Sequence, residues 1–197
     1  MKTIKTIART FMFIVVVLFC ITTVHYYKIQ AQATLPTKPD FEHTNNQQFI
    51  DNVNQCIEYI YFYEKTINKV DKDLLLAQAA LESGWGNSRF ARVGKNLFGI
   101  RTYDLQEPHM LPSNNPKKWG VKVFQHECDS VLHYINTLSN HSAYEKYREK
   151  LAEGVDSLEL VETLDAYAAD KHYFSKIKSI LTKIRSEYDT RGRHKKN

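Results

Sequence analysis

Phe49, Ile50, Val53, Cys56, Ile57 and Ile60 recur at spacings of three and four, the period of one face of an α-helix, and predict a helix beginning near Asn46. A second helix is predicted after Asp71, a good N-cap, running from about Lys72 through Leu74, Leu75, Leu76, Ala77, Ala79, Ala80 and Leu81 to a stop near Ser83-Gly84. A short helical piece is expected around Ser88 to Val93, leading to Asn96-Leu97-Phe98-Gly99-Ile100, which reads as a turn into extended chain. Arg101 to Lys118 is polar, carries three prolines and shows no helical period, whereas Val121, Val123 and Phe124 favour a strand, so a small hairpin or irregular lobe is expected there. Helical patterns resume around Asp129 to Leu138, Ala143 to Ala152, Leu158 to Ala168 and Tyr173 to Tyr188. The fold class is therefore mainly α (α+β): one helical domain with a small extended insert.

The first 33 residues follow a different pattern. Lys2, Lys5 and Arg9 precede an unbroken apolar run from Phe11 to Ile21, and Ala31-Gln32-Ala33 offers a small-residue cleavage site, the arrangement of a secretory signal. Extended to Tyr27 the run reaches 17 residues, near the roughly 20 that span a bilayer, so an uncleaved anchor in the inner membrane is the alternative. Under either reading the chain from about residue 34 is exported to the periplasm or cell envelope. Residues 34–45, with two prolines and no periodicity, read as a spacer; 46–190 form the domain and 191–197 a basic tail.

Charge changes the picture less than the pI of about 9.0 suggests. The leader holds four cations and no acid, so removing it takes the net charge from +5 to +1, and nothing points to nucleic acid. Cys56 and Cys128 could pair in an oxidising compartment or remain buried thiols. No Cys or His spacing suggests a zinc site, and neither a metal nor an organic cofactor is expected; the protein is read as a monomer.

The chemistry centres on Glu82. Leu75 and Ala79 lie seven and three residues before it, which places the carboxyl on the apolar stripe of the second helix, just ahead of the stop at Gly84-Trp85-Gly86. Poor solvation favours the protonated form, as a general acid requires. From spacing alone, a solvated helix-end Glu82 with Trp85 as a core anchor is the favoured reading.

The run Ala77-Gln78-Ala79-Ala80-Leu81-Glu82-Ser83-Gly84-Trp85-Gly86-Asn87-Ser88, followed by Lys95-Asn96-Leu97-Phe98-Gly99-Ile100, resembles the glucosaminidase-domain family, glycoside hydrolase family 73, and especially its Bax-like branch. The resemblance continues through Phe124, Asp129-Ser130-Val131, Leu138-Ser139-Asn140-His141, Ala143-Tyr144, Tyr167-Ala168-Ala169-Asp170, Tyr173 and Ile177, and spans most of residues 46–188. It implies a lysozyme-like, two-lobed fold and endo-acting hydrolysis of the β-1,4 bond after N-acetylglucosamine in peptidoglycan glycan strands. In that family's terms Glu82 matches the catalytic acid and Tyr173 a tyrosine near the reaction centre, while Trp85, Phe98 and Tyr167 fall where the groove is shaped. For each aromatic, core packing is the other reading. Lys171 stands where many relatives have proline. The second carboxylate that glycosidases usually employ has only Asp104 and Glu107 as candidates in the insert, and Glu107 is the choice; failing both, the substrate's N-acetyl group would serve as nucleophile. A lytic transglycosylase and a non-catalytic glycan-binding envelope protein are the competing readings.

Overall fold

The computed structural model describes residues 2–33, 35–113, 118–164 and 172–188, with side chains in the first segment from Met12 to Lys28. The chain divides into two compact units, residues 1–36 and 37–197. The first is a single helix, α1 (Lys2–Ala33). Among the described residues no helix is long and apolar enough to cross a membrane, so the anchor expectation gains no support.

In the second unit, α2 (Asn46–Tyr63) is capped by Asn45, whose side chain accepts the Gln48 N–H at 2.9 Å, and buries the predicted stripe of Phe49, Ile50, Val53, Cys56, Ile57 and Ile60. α3 (Lys72–Ser83) is capped by Asp71 at 2.7 Å and buries every residue from Leu74 to Ala80. A helix buried on all sides needs partners around its circumference. α3 packs chiefly against α8 (Tyr173–Glu187), which turns Tyr173, Ile177, Leu181 and Ile184 inward. α5 (Glu127–Asn140) packs against α2 and starts at a reciprocal cap: His126 accepts the Cys128 N–H, while Asp129 accepts the His126 N–H. Between them lie α4 (Arg89–Arg92) and a three-stranded antiparallel sheet, β1 (Arg101–Thr102), β2 (His109–Met110) and β3 (Gly120–Lys122), in the order β1-β3-β2. α6 (Glu145–Ala152) and α7 (Ser157–Leu160) complete the helices.

Three features differ from the sequence expectation. The insert has three strands, because His109 and Met110 pair with Lys122 and Val121 although two residues are too few to show an alternating pattern. The helix expected from Leu158 onward ends at Leu160 and tightens into a 3₁₀ turn over Val161–Thr163, where the Thr163 hydroxyl donates to the Leu160 carbonyl at 2.7 Å. Finally, residues 37–45, read as a spacer, are a strap packed on the domain. Lys38 pairs with Asp129 at 2.6 Å, His126 donates to the Pro39 carbonyl at 3.0 Å, and the Phe41 ring meets Phe49 edge-on. Contacts to α2, which follows it directly, and to α5, far off in sequence, hold this aperiodic segment.

Cys56 of α2 and Cys128 of α5 form a disulfide, with Cα atoms 4.9 Å apart. It joins two helices 72 residues apart in sequence at their packing contact. The basic tail 191–197 lies outside the described residues.

Candidate active site

α3 delivers Glu82 to its last turn, and the chain then reverses sharply. Gly84, Trp85 and Gly86 all adopt left-handed backbone, with φ of 58°, 56° and 77°. The Gly84 N–H reaches back to the Leu81 carbonyl at 3.3 Å and the Trp85 N–H to the Ala80 carbonyl at 2.8 Å, bonds that satisfy carbonyls left open at a helix end. Left-handed φ costs glycine little but a tryptophan on the order of 1 kcal/mol or more, a strain that survives only where the surroundings dictate it. Here they do. The Trp85 ring lies against Phe49 of α2 at 6.1 Å and Tyr188 beyond α8 at 5.7 Å, and its carbonyl receives His43 Nε2–H at 2.9 Å. Ser83 supports the same turn, donating to the Ala79 carbonyl and accepting the Gly86 N–H at 2.7 Å.

Burial pushes the Glu82 carboxyl above the usual carboxylate range, and a hydrogen bond from the Tyr173 hydroxyl opposes that rise in part. Tyr173, at the start of α8, is itself buried, and its hydroxyl is pushed well above the ordinary phenol value, first by that burial. Its oxygen accepts the Gln78 amide N–H at 2.7 Å, and the Gln78 carbonyl accepts the Tyr134 hydroxyl of α5. Gln78 stands one helical turn before Glu82 on α3, so three helices meet in a buried chain of hydrogen bonds, Tyr134 to Gln78 to Tyr173 to Glu82. Such a chain fixes which way the carboxyl faces while leaving it able to hold a proton.

Glu107 belongs to the sheet region. Its carboxylate accepts Lys122 Nζ at 2.9 Å and the Thr102 hydroxyl at 3.0 Å, and these two bonds hold its pKa below the usual carboxylate range. Asp104, the other candidate, spends Oδ1 on the Gln106 N–H at 2.9 Å in a local turn.

The structure thus brings Glu82 and Tyr173 into contact and sets Glu107 in the loop between β1 and β2. Phe98 is 3% exposed and stacks face to face on Tyr134 at 4.2 Å, which makes it packing for the buried chain. Trp85, half-buried between Phe49 and Tyr188, anchors the turn. These are packing contacts, and Trp85 keeps part of its surface exposed. Tyr167 and Lys171 lie outside the described residues. Gln78 and Tyr134 were missed, though one signal was present: Gln78 is the lone polar residue in Leu74 to Leu81, four residues before Glu82. His43 gave no signal. Among the described residues the one group of donors close enough to share a metal is Cys56, His126 and Cys128; with the two sulfurs bonded to each other, no thiolate remains to ligate.

A mainly helical domain with a small antiparallel sheet and a partly buried carboxyl at a helix end is the layout of a lysozyme-like fold. The chain belongs to the glucosaminidase family of glycoside hydrolases, whose model, described as mannosyl-glycoprotein endo-beta-N-acetylglucosaminidase, matches residues 59–186. Two curated relatives are similar. Protein bax of Escherichia coli (strain K12) is 32% identical over 88 residues, covering 44% of this chain and 30% of its own. Exo-glucosaminidase LytG of Bacillus subtilis (strain 168) is 27% identical over 175 residues, covering 80% of this chain and 60% of its own. The chain therefore spans less than two thirds of either relative. The fold resembles the catalytic domain of the autolysin Auto from Listeria monocytogenes, with TM-score 0.53 and 23% identity over 82% of this chain and 94% of that one. It also resembles a glycoside hydrolase domain of FlgJ from Salmonella typhimurium, with TM-score 0.52 and 20% identity over 72% of this chain and 98% of that one.

Proposed function

We propose that this protein is an exported peptidoglycan hydrolase of the endo-β-N-acetylglucosaminidase type, with Glu82 as general acid. The observation that carries the reading is the Glu82 carboxyl itself, at the end of α3, raised in pKa by burial and oriented by the Tyr173 hydroxyl. In the proposed reaction the protonated carboxyl gives its proton to the glycosidic oxygen as the bond from that oxygen to the anomeric carbon breaks. Water then adds to the anomeric carbon and loses its proton to a base. Glu107, kept ionised by Lys122 and Thr102, is the candidate base; the substrate's acetamido group is the alternative partner for the developing cation.

Family membership and the likeness to LytG, named as an exo-glucosaminidase, support a glucosamine-cleaving activity. The apolar leader and the Cys56–Cys128 disulfide support a location outside the cytoplasm, in the cell envelope or beyond it, since such bonds persist in oxidising compartments.

Digestion of sacculi by the wild type and by Glu82→Gln, with borohydride reduction and mass spectrometry of the fragments, tests this directly. Reduced N-acetylglucosamine ends from the wild type alone are expected, in fragments of mixed length; disaccharides alone would make the enzyme exo-acting. Reduced N-acetylmuramic acid ends would make it a muramidase and anhydro ends a lytic transglycosylase. Binding without release by either form would leave a glycan-binding protein.

A further inference from the structure

We infer that His43, on the strap outside the helical core, is a positioning residue for the candidate acid, acting through the left-handed turn that follows Glu82. The inference rests on the reading of Glu82 as the acid.

The contact is specific. His43 Nε2 lies 2.9 Å from the carbonyl oxygen of Trp85, and because a carbonyl can only accept, that ring nitrogen carries the hydrogen. Trp85 is the one non-glycine residue in the run of three left-handed residues, so its peptide is where the turn can most readily relax. Gly86 presses against the same ring: a Cβ built there would fall 2.6 Å from His43 Cε1 and 2.8 Å from Nε2. The imidazole also meets Phe49 edge-on at 5.5 Å, and its Nδ1 lies 3.4 Å from the Phe41 carbonyl; the Trp85 carbonyl accepts a second, longer bond from the Asn87 side-chain N–H at 3.3 Å, which leaves His43 as its shorter donor.

His43 can hold the turn only because the strap is itself held. Asn52 of α2 donates to the Glu42 carbonyl at 3.0 Å, Gln48 accepts the Thr44 N–H at 2.7 Å, and Gln55 donates to the Thr37 carbonyl at 3.1 Å. With Lys38 on Asp129 and His126 on Pro39, the strap is fastened to both helices that the disulfide joins. Trp85 is bonded through its own N–H to Ala80 of α3, so a shift at its carbonyl is passed within one turn to the residue bearing the carboxyl. A general acid misplaced by about 1 Å loses on the order of tenfold to a hundredfold in rate without losing substrate affinity.

The test uses the full chain and three variants, assayed on sacculi with Glu82→Gln as control. His43→Phe keeps a ring against Phe49 but removes the donor; His43→Gln restores a donor; His43→Ala removes both. We expect kcat of His43→Phe and His43→Ala to fall about tenfold or more with KM within about twofold, and His43→Gln to recover most of the loss. The chain has two tryptophans, so a Trp119→Phe background isolates Trp85 emission, which should shift in His43→Phe and return in His43→Gln. A folded His43→Phe with wild-type kcat and unshifted emission overturns the inference, even if His43→Ala fails to fold. If Glu82→Gln is as active as the wild type, the reading of Glu82 fails instead, and the emission still decides whether His43 holds the turn.

Discussion

The hydroxyl of Tyr173 lies 2.7 Å from the side-chain amide nitrogen of Gln78 and donates its own hydrogen to Glu82, so one buried oxygen links the start of α8 to two polar residues a turn apart on α3. Tyr173→Phe deletes both bonds. Loss of a hydrogen bond to the carboxylate form raises the Glu82 pKa further, so the alkaline limb of the kcat profile should move to higher pH while kcat at the optimum falls about tenfold. A limb that stays in place or moves to lower pH would show that Tyr173 does not touch the working carboxyl.

Glu82 should weaken the fold that holds it. An unfolded glutamate ionises near pH 4.3, whereas the native carboxyl holds its proton to higher pH because it is buried. Between those two values the unfolded chain gives up a proton the native state keeps, so native stability falls as pH rises through the interval and then levels off. Glu82→Gln removes this cost. Its Tm should match the wild type near pH 4 and exceed it by about 2 °C at pH 7, measured by calorimetry. Equal Tm values at both pH values would mean the carboxyl is solvated after all.

Hydrogen bonds from Lys122 and Thr102 stabilise the charged form of Glu107 and hold its pKa below the usual carboxylate range. If it takes the proton of the attacking water, Glu107→Gln should lower kcat about a hundredfold. Lys122→Met, which raises the Glu107 pKa, should move the acidic limb of the profile upward. Retention of more than about half the wild-type kcat in Glu107→Gln would assign the second role to the substrate's acetamido group.

The disulfide closes a loop of 72 residues, which by chain entropy confers about 4 kcal/mol on a domain of ordinary marginal stability. Paired serine substitutions at Cys56 and Cys128 should lower the urea midpoint markedly, and dithiothreitol should do the same to the wild type. An unchanged midpoint would show that the α2–α5 contact is sufficient without the bond.

The helices were legible in local pattern alone: the stripe of α2, the nearly unbroken apolar run of α3, and the N-caps at Asn45 and Asp71 mark their elements. Glu82 was legible for the same reason, as a charged residue in register with Leu75 and Ala79. What escaped is held by partners remote in sequence. The strap of 37–45 has no periodicity, and its bonds run to Asp129, His126 and Trp85. The Cys56–Cys128 pairing depends on how α2 meets α5, and the aromatic roles of Trp85 and Phe98 depend on which neighbours the fold supplies, Tyr188 and Tyr134. Phe98 stands in the matching motif yet turns inward onto Tyr134, a distinction that spacing does not contain.

The amide at the centre of the buried chain sets a limit on traffic through it. Gln78 has no titratable proton, so although it aligns the hydroxyls on either side, it cannot relay a net charge from Tyr134 toward the carboxyl. Through Gln78, then, no proton reaches Glu82. If Glu82 is the acid of the proposed reaction, each turnover recharges it by a path other than this buried chain, whose part is to hold the carboxyl still while its proton comes and goes.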